Sequence, residues 1–188
     1  PVISGLKMRS IGTGFFVSQD GRLLTNNHVV DGCAGLSVET PDGHKAVAEL
    51  LDTRAEDDLA LVRTKMAAPA TASFLVGESL SPGTPISLIG YPYQGLAPRK
   101  PLLTHGILGN SSADLFGRPR FEIRADVRHG NSGGPVVDRR GLVIGVVYAK
   151  INSVAVYERT GQKVRFVGAV IDNRAVFEFL EQNNVPYR

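Results

Sequence analysis

The chain of 188 residues has one cysteine, Cys33, so no internal disulfide can form and a disulfide-stapled secreted scaffold is excluded. That single thiol does not fix a compartment. No uninterrupted apolar run approaches the length of a membrane span. No HExxH is present, and Cys33 has no histidine at metal-ligand spacing; His28 and Cys33 alone do not make a metal site. There is no internal repeat, no low-complexity segment and no long tract of one charge sign. The net charge of +3 is mildly basic, and Arg118, Arg120, Arg124 and Arg128 form a loose group. With no aromatic interleaving and no nucleic-acid motif around them, these arginines read as a solvated face.

What is present is a core-forming composition, 43% hydrophobic and 21% charged, enough for one domain or two small lobes. Short apolar segments alternate with turn signals. Gly12 to Val30 reads as two strands joined at Asp20-Gly21, and LSVETPDGHKAVAELL as a hairpin around Pro41-Asp42-Gly43. DDLALV is a strand entered by carboxylates. Val76 to Pro85 reads as a linker between lobes. ISLIGYP, LLTHGILGN, FEIRADV, GPVVD and LVIGVVYA are further strands. YQGLAPRKP and SSADLFGRP read as loops, and KINSVAVYERTGQKVRFVGAVI as a hairpin turning near Thr160-Gly161. The tail changes period: Ile171, Ala175, Val176, Phe179 and Leu180 share a helical face, with Asp172 or Asn173 placed to cap it. Many short strands and one terminal helix predict an all-β barrel or sandwich.

The stretch His129 to Val137, HGNSGGPVV, frames Ser132 with Gly130, Gly133 and Gly134. Glycines reach backbone angles closed to other residues, so such a serine can sit on a sharp turn beside aligned backbone N–H groups. Acyl transfer needs that layout, plus a base within reach of the hydroxyl and an acceptor that orients the base. Of four histidines, His44 falls on a turn tip and reads as solvated, and His105 in a strand reads as structural. His129 stands three residues before the serine and could rim a cleft. His28 ends an apolar strand. The DDLALV run supplies the acceptor. Cys33 reads as a small packed residue.

TNNHVV resembles the His signature of trypsin-like serine peptidases, and GTGFFVS, DDLALV, SPGTPISLIGYP, LLTHGILG and GNSGGPVVD resemble the HtrA/Deg branch of that family. The order His28, Asp58, Ser132 is the chymotrypsin-type order. The resemblance implies two six-stranded antiparallel β-barrels and a short C-terminal helix in one peptidase domain. The lobes would run over about 1–80 and 84–170, with the helix at 171–184. It implies a serine endopeptidase using His28, Asp58 and Ser132, with Gly130, Asn131 and Ser132 forming the oxyanion hole. Asp58 is favoured because the family's acid directly precedes an apolar x-Ala-Leu strand, which leaves Asp57 as an exposed neighbour. Asn131 stands where digestive trypsins carry the aspartate that pairs with a newly cut N-terminus, so activation by that insertion is not expected.

The resemblance further implies a substrate cleft lined by Asp126, His129, Tyr148, Ala149 and Lys150, protein or peptide substrates, and no cofactor or metal. No nucleic-acid partner and no membrane contact by this domain are expected. Asp126 lies six residues before Ser132, the place of the trypsin specificity aspartate, which predicts a preference for Lys or Arg unless Asp126 pairs locally with Arg124 or Arg128. A periplasmic, secreted or membrane-anchored extracytoplasmic location in a bacterium is implied. The chain opens on Pro1 and reads as a processed form or excised domain without the PDZ domains usual in HtrA proteins. A catalytically silent binding or scaffold domain on the same fold is the rival expectation.

Overall fold

The computed structural model describes residues 10–92, 100–113, 117–150 and 167–187, without the side chains of 112, 113, 149 and 150. The expected YQGLAPRKP loop, apart from its last two residues, the middle of SSADLFGRP (114–116) and the turn near Thr160-Gly161 therefore fall outside the described residues.

The first sheet contains β1 (Phe15–Phe16), β2 (Arg22–Thr25), β3 (Leu36–Glu39), β4 (Lys45–Arg54) and β5 (Leu59–Thr64), in the order β1-β2-β5-β4-β3. A short helix α1 (Asn27–Val30) follows β2. The Asp20-Gly21 hairpin forms with Phe15 opposite Leu24. Gly21 is required there: its φ is +86°, and a Cβ would run into the Thr64 carbonyl. The Pro41-Asp42-Gly43 hairpin forms with Glu39 opposite Lys45.

The second sheet is a closed antiparallel barrel: β6 (Pro85–Gly90), β7 (Leu102–Ala113), β8 (Pro119–Arg124), β9 (Pro135–Val137), β10 (Val143–Lys150) and β11 (Val167–Asp172), in the order β10-β11-β8-β7-β6-β9. It is the six-stranded barrel expected of lobe two. The first lobe, among the described residues, is a five-stranded open sheet. The segment that would extend it turns to the other lobe instead. Ala72 N–H still reaches the Phe16 carbonyl at 2.8 Å, but Leu75 N–H bonds Val143 O at 2.9 Å and Phe74 bridges to Val143. β7 also runs on through Ser111-Ser112-Ala113, expected as loop, because these residues pair with β8 beyond a register shift after Leu108.

The terminal helix α2 (Asn173–Gln182) starts later than its apolar period suggests, since Ile171 is the last barrel residue but one. Asp172 caps it, accepting from Arg174 N–H at 2.8 Å. Its apolar face does not serve one lobe alone. Ala175, Val176, Phe179 and Leu180 join Leu24, Leu59 and Leu61 of the first sheet and Val137, Val143, Val146 and Ile171 of the barrel in a single buried cluster. Phe179 is fully buried within it. Phe179→Ala is expected to lower unfolding free energy by about 3–5 kcal/mol, read from the midpoint of urea denaturation.

Candidate active site

β2 delivers the Thr25-Asn26-Asn27-His28 segment to the end of the first sheet, and the loop before β5 meets it there. The backbone carbonyl of Asp58 accepts from Asn26 Nδ2 at 3.0 Å and from Asn27 N–H at 3.1 Å. The carboxylate of Asp58 takes the two remaining donors: His28 N–H to Oδ1 at 2.8 Å, and His28 Nδ1 to Oδ2 at 2.6 Å. Because a carboxylate only accepts, the ring proton sits on Nδ1 and Nε2 keeps its lone pair. The His28 side chain is 47% exposed and that of Asp58 11%. The hydrogen bond that His28 donates to Asp58 raises the His28 pKa above its ordinary value, against the opposing effect of partial burial. Asp58 has φ +56°, a left-handed conformation that non-glycine residues adopt at a cost of about 1–3 kcal/mol. Four donors close on its carbonyl and carboxylate and hold it there.

The Ser132 turn is built by close approach of the other lobe. Gly130 (φ +95°) and Gly133 (φ +84°) have left-handed backbones. A Cβ on Gly130 would strike the Tyr91 carbonyl, and one on Gly133 would strike Thr13 O and Thr25 Oγ1. Thr13 organises the turn: its N–H donates to Ser132 O at 2.8 Å and its hydroxyl to Gly130 O at 2.6 Å. That hydroxyl accepts from Tyr91 N–H at 2.9 Å, and Thr25 donates to Thr13 O at 2.7 Å. Gly134 N–H to Asn131 O, at 2.9 Å, closes the turn. The Asn131 side chain is turned inward, accepting from Arg128 N–H at 2.9 Å. Among the described residues, the N–H groups of Gly130 and Ser132 have no hydrogen-bond acceptor. Thr13 and Thr25 were missed as site residues by sequence reasoning. Their signal is a hydroxyl residue between two glycines and another directly before Asn26-Asn27-His28.

Tyr148 joins the two halves. Its carbonyl accepts a long 3.4 Å bond from Ser132 Oγ, and its ring meets the His28 ring edge-on at 6.4 Å. Ser132 makes no hydrogen bond to His28. Asp126 is half-buried and paired with Arg128, whose Nε lies 2.8 Å from Oδ2, so local pairing is what the structure contains. His129 is exposed. Ala149 and Lys150 continue β10, and their side chains lie outside the described set. His44 is an exposed turn residue 2.8 Å from Asp42, and His105 on β7 bonds Ser87 at 2.9 Å. Among the described residues no three His, Cys, Asp or Glu side chains converge as a metal site requires.

Two expectations are corrected. Asp57 is not an exposed neighbour: its side chain is 0% exposed, since an ionised group can be buried when several opposite charges reach it. Arg118 grips both carboxylate oxygens, with Nε to Oδ1 at 2.7 Å, and Arg54 reaches Oδ2 at 3.3 Å. Arg118 and Arg120 are correspondingly not a solvated face. Arg120 is 5% exposed, lies 3.9 Å from Asp57 Oδ1, bonds the Asp57 carbonyl at 3.3 Å and stacks over the Tyr148 ring at 5.6 Å. Arg124 and Arg128 are exposed as expected.

The chain is 31% identical over 169 residues to a protein of Rhizobium meliloti named probable periplasmic serine endoprotease DegP-like, covering 88% of this chain and 32% of that one. The active-form crystal structure of the Rv3671c protease from M. tuberculosis matches with a TM-score of 0.75 at 28% identity, covering 93% of this chain and 74% of that one. The HtrA-type protease AlgW, solved with a decapeptide, matches with a TM-score of 0.77 at 25% identity over 92% of this chain and 51% of its own. The chain spans between 27% and 36% of the length of the curated relatives it matches. The model of the trypsin-like peptidase domain covers residues 12–146. That is most of the chain, including both halves of the crevice, and the chain therefore belongs to the trypsin-like peptidase family.

Proposed function

We propose that the chain is the peptidase domain of an extracytoplasmic serine endopeptidase that cleaves peptide bonds through an acyl-enzyme. The observation that carries this reading is the two-pronged grip of Asp58 on His28, facing a glycine-framed serine beside two idle backbone amides. Ser132 Oγ turns from the Tyr148 carbonyl toward His28 Nε2, gives up its proton and attacks the scissile carbonyl. Asp58 stabilises the imidazolium, and the N–H groups of Gly130 and Ser132 receive the developing oxyanion. His28 then protonates the leaving amine, and water repeats the sequence on the ester. Tyr148, Ala149 and Lys150 would lie along the bound peptide, with His129 at the rim. The periplasmic name of the DegP-like relative supports the location, and the decapeptide bound to AlgW supports a peptide substrate.

Arg128 neutralises Asp126, so selection for basic residues is latent in this site rather than expressed. A substrate Lys or Arg must displace a guanidinium already present, and an exposed pair of this kind is weak enough to exchange.

The reading is tested by fluorophosphonate labelling followed by intact mass. One adduct on the parent and none on Ser132→Ala is expected. An unlabelled parent that retains its fold would favour the silent binding domain, which the missing Ser132–His28 bond would then explain.

The raised His28 pKa sets the pH profile. Neutral imidazole is the base, so kcat/KM should rise with pH through a midpoint above the ordinary 6.5. Any stability from the charged His28–Asp58 pair runs the other way, fully present below 6.5 and lost as pH rises through the same midpoint. Asp58→Asn should lower the midpoint and reduce kcat by about ten-thousandfold. In a peptide-library profile, Arg128→Ala should increase cleavage after Lys and Arg severalfold, and Asp126→Ala should abolish that gain.

A further inference from the structure

Asp57 and Asp58 are adjacent carboxylates with separate partners. Asp58 faces His28, whereas Asp57 points away into a cluster of three guanidiniums drawn from different parts of the fold. Arg54 is the last residue of β4, Arg120 belongs to β8, and Arg118 stands two residues before it, just outside the barrel strand. Arg54 also reaches α2, with Nη1 3.5 Å from the Glu178 carboxylate and a further bond to Gln182 Oε1. The loop carrying the candidate acid is thus pinned from the first sheet, the barrel and the terminal helix at one fully buried carboxylate.

We propose that Asp57 is a positioning residue: by anchoring the loop to Arg118 and Arg120 of the barrel lobe, it holds Asp58 in its left-handed conformation and on His28. This rests on the triad assignment above. The backbone supports the link. Asp57 N–H and Asp58 N–H turn back onto the carbonyls of Arg54 and Ala55 at 3.2 and 3.1 Å, so the loop is a tight turn with little slack between the two side chains. A left-handed non-glycine residue persists only where its surroundings over-determine it. Arg120 adds a second route, since the guanidinium that bonds the Asp57 carbonyl also lies on the face of Tyr148, the residue touching both His28 and Ser132. A strut that merely joined the lobes would need none of this proximity.

The test uses Asp57→Asn, Arg118→Gln and Arg118→Lys in the full chain. Arg118 is the safer lever, with a side chain 29% exposed, should Asp57→Asn fail to fold. The main readout is the NMR resonance of the His28 Nδ1 proton, which is far downfield while the ring bonds Asp58 and which does not require turnover. In Arg118→Gln that resonance should move upfield and broaden, kcat should fall by about tenfold and KM should stay within twofold of the parent. Arg118→Lys, which keeps the charge, should restore most of both. Unchanged resonance and kcat in folded Arg118→Gln, with only a lower Tm, would overturn the proposal and leave Asp57 as a structural strut. A parent that takes up no fluorophosphonate would instead defeat the triad reading, and the NMR response to Arg118→Gln would still decide whether Asp57 positions Asp58.

Discussion

Everything in the crevice depends on two carbonyls of the serine turn being held from the opposite lobe. Thr13 supplies both bonds, one from its backbone to Ser132 and one from its hydroxyl to Gly130, and Thr25 in turn fixes Thr13. A peptide plane whose oxygen is fixed has its N–H direction fixed as well. The bond to Gly130 O sets the plane that carries Asn131 N–H, the Gly134 to Asn131 bond sets the plane that carries Ser132 N–H, and the bond to Ser132 O sets the plane that carries Gly133 N–H, while the amides of Gly130 and Ser132 meet no acceptor among the described residues. The glycines follow from the same approach: Gly133 exists because Thr13 and Thr25 occupy the space a side chain would need.

The site was legible in the sequence wherever chemistry fixes residue type at a local spacing. The serine between glycines and the carboxylate before an apolar strand are local signals of this kind, the hairpins at Gly21 and Gly43 form on their expected turns, and His28, expected at a strand end, lies instead in α1, just past the end of β2. The features not legible are those made by residues far apart in the chain. Nothing in the Glu56-Asp57-Asp58 run says that Asp58 faces His28 and Asp57 three arginines, since Arg118 and Arg120 are more than sixty positions away from Asp57. Thr13, in the segment before β1, and Thr25, the last residue of β2, each carry only a local signal, and nothing in the sequence says that both meet the serine turn. Ile171 fits the helical period of the tail yet belongs to the barrel, where pairing with Arg120 outweighs a helical position next to a capping aspartate.

Two neighbouring carboxylates with opposite duties also explain how the electrostatics stay separable. The Asp57 charge is neutralised within its own cluster of guanidiniums, so the interaction His28 experiences is dominated by Asp58. On the far side of the serine turn, Asp126 and Arg128 form another self-contained pair. Charge near the crevice is therefore partitioned into local clusters, and Asp58 is the carboxylate that acts on His28.

The unequal closure of the two sheets has a consequence for how activity is lost. The barrel behind Ser132 is complete in its own hydrogen-bond ladder, whereas the sheet behind His28 and Asp58 is open among the described residues and leans on the barrel and α2 for the burial of Leu24, Leu59 and Leu61. Local opening proceeds most readily from the less self-sufficient unit. Local opening is thus expected to begin in the half that holds His28 and Asp58, parting them from Ser132 while the barrel and the serine turn are still formed.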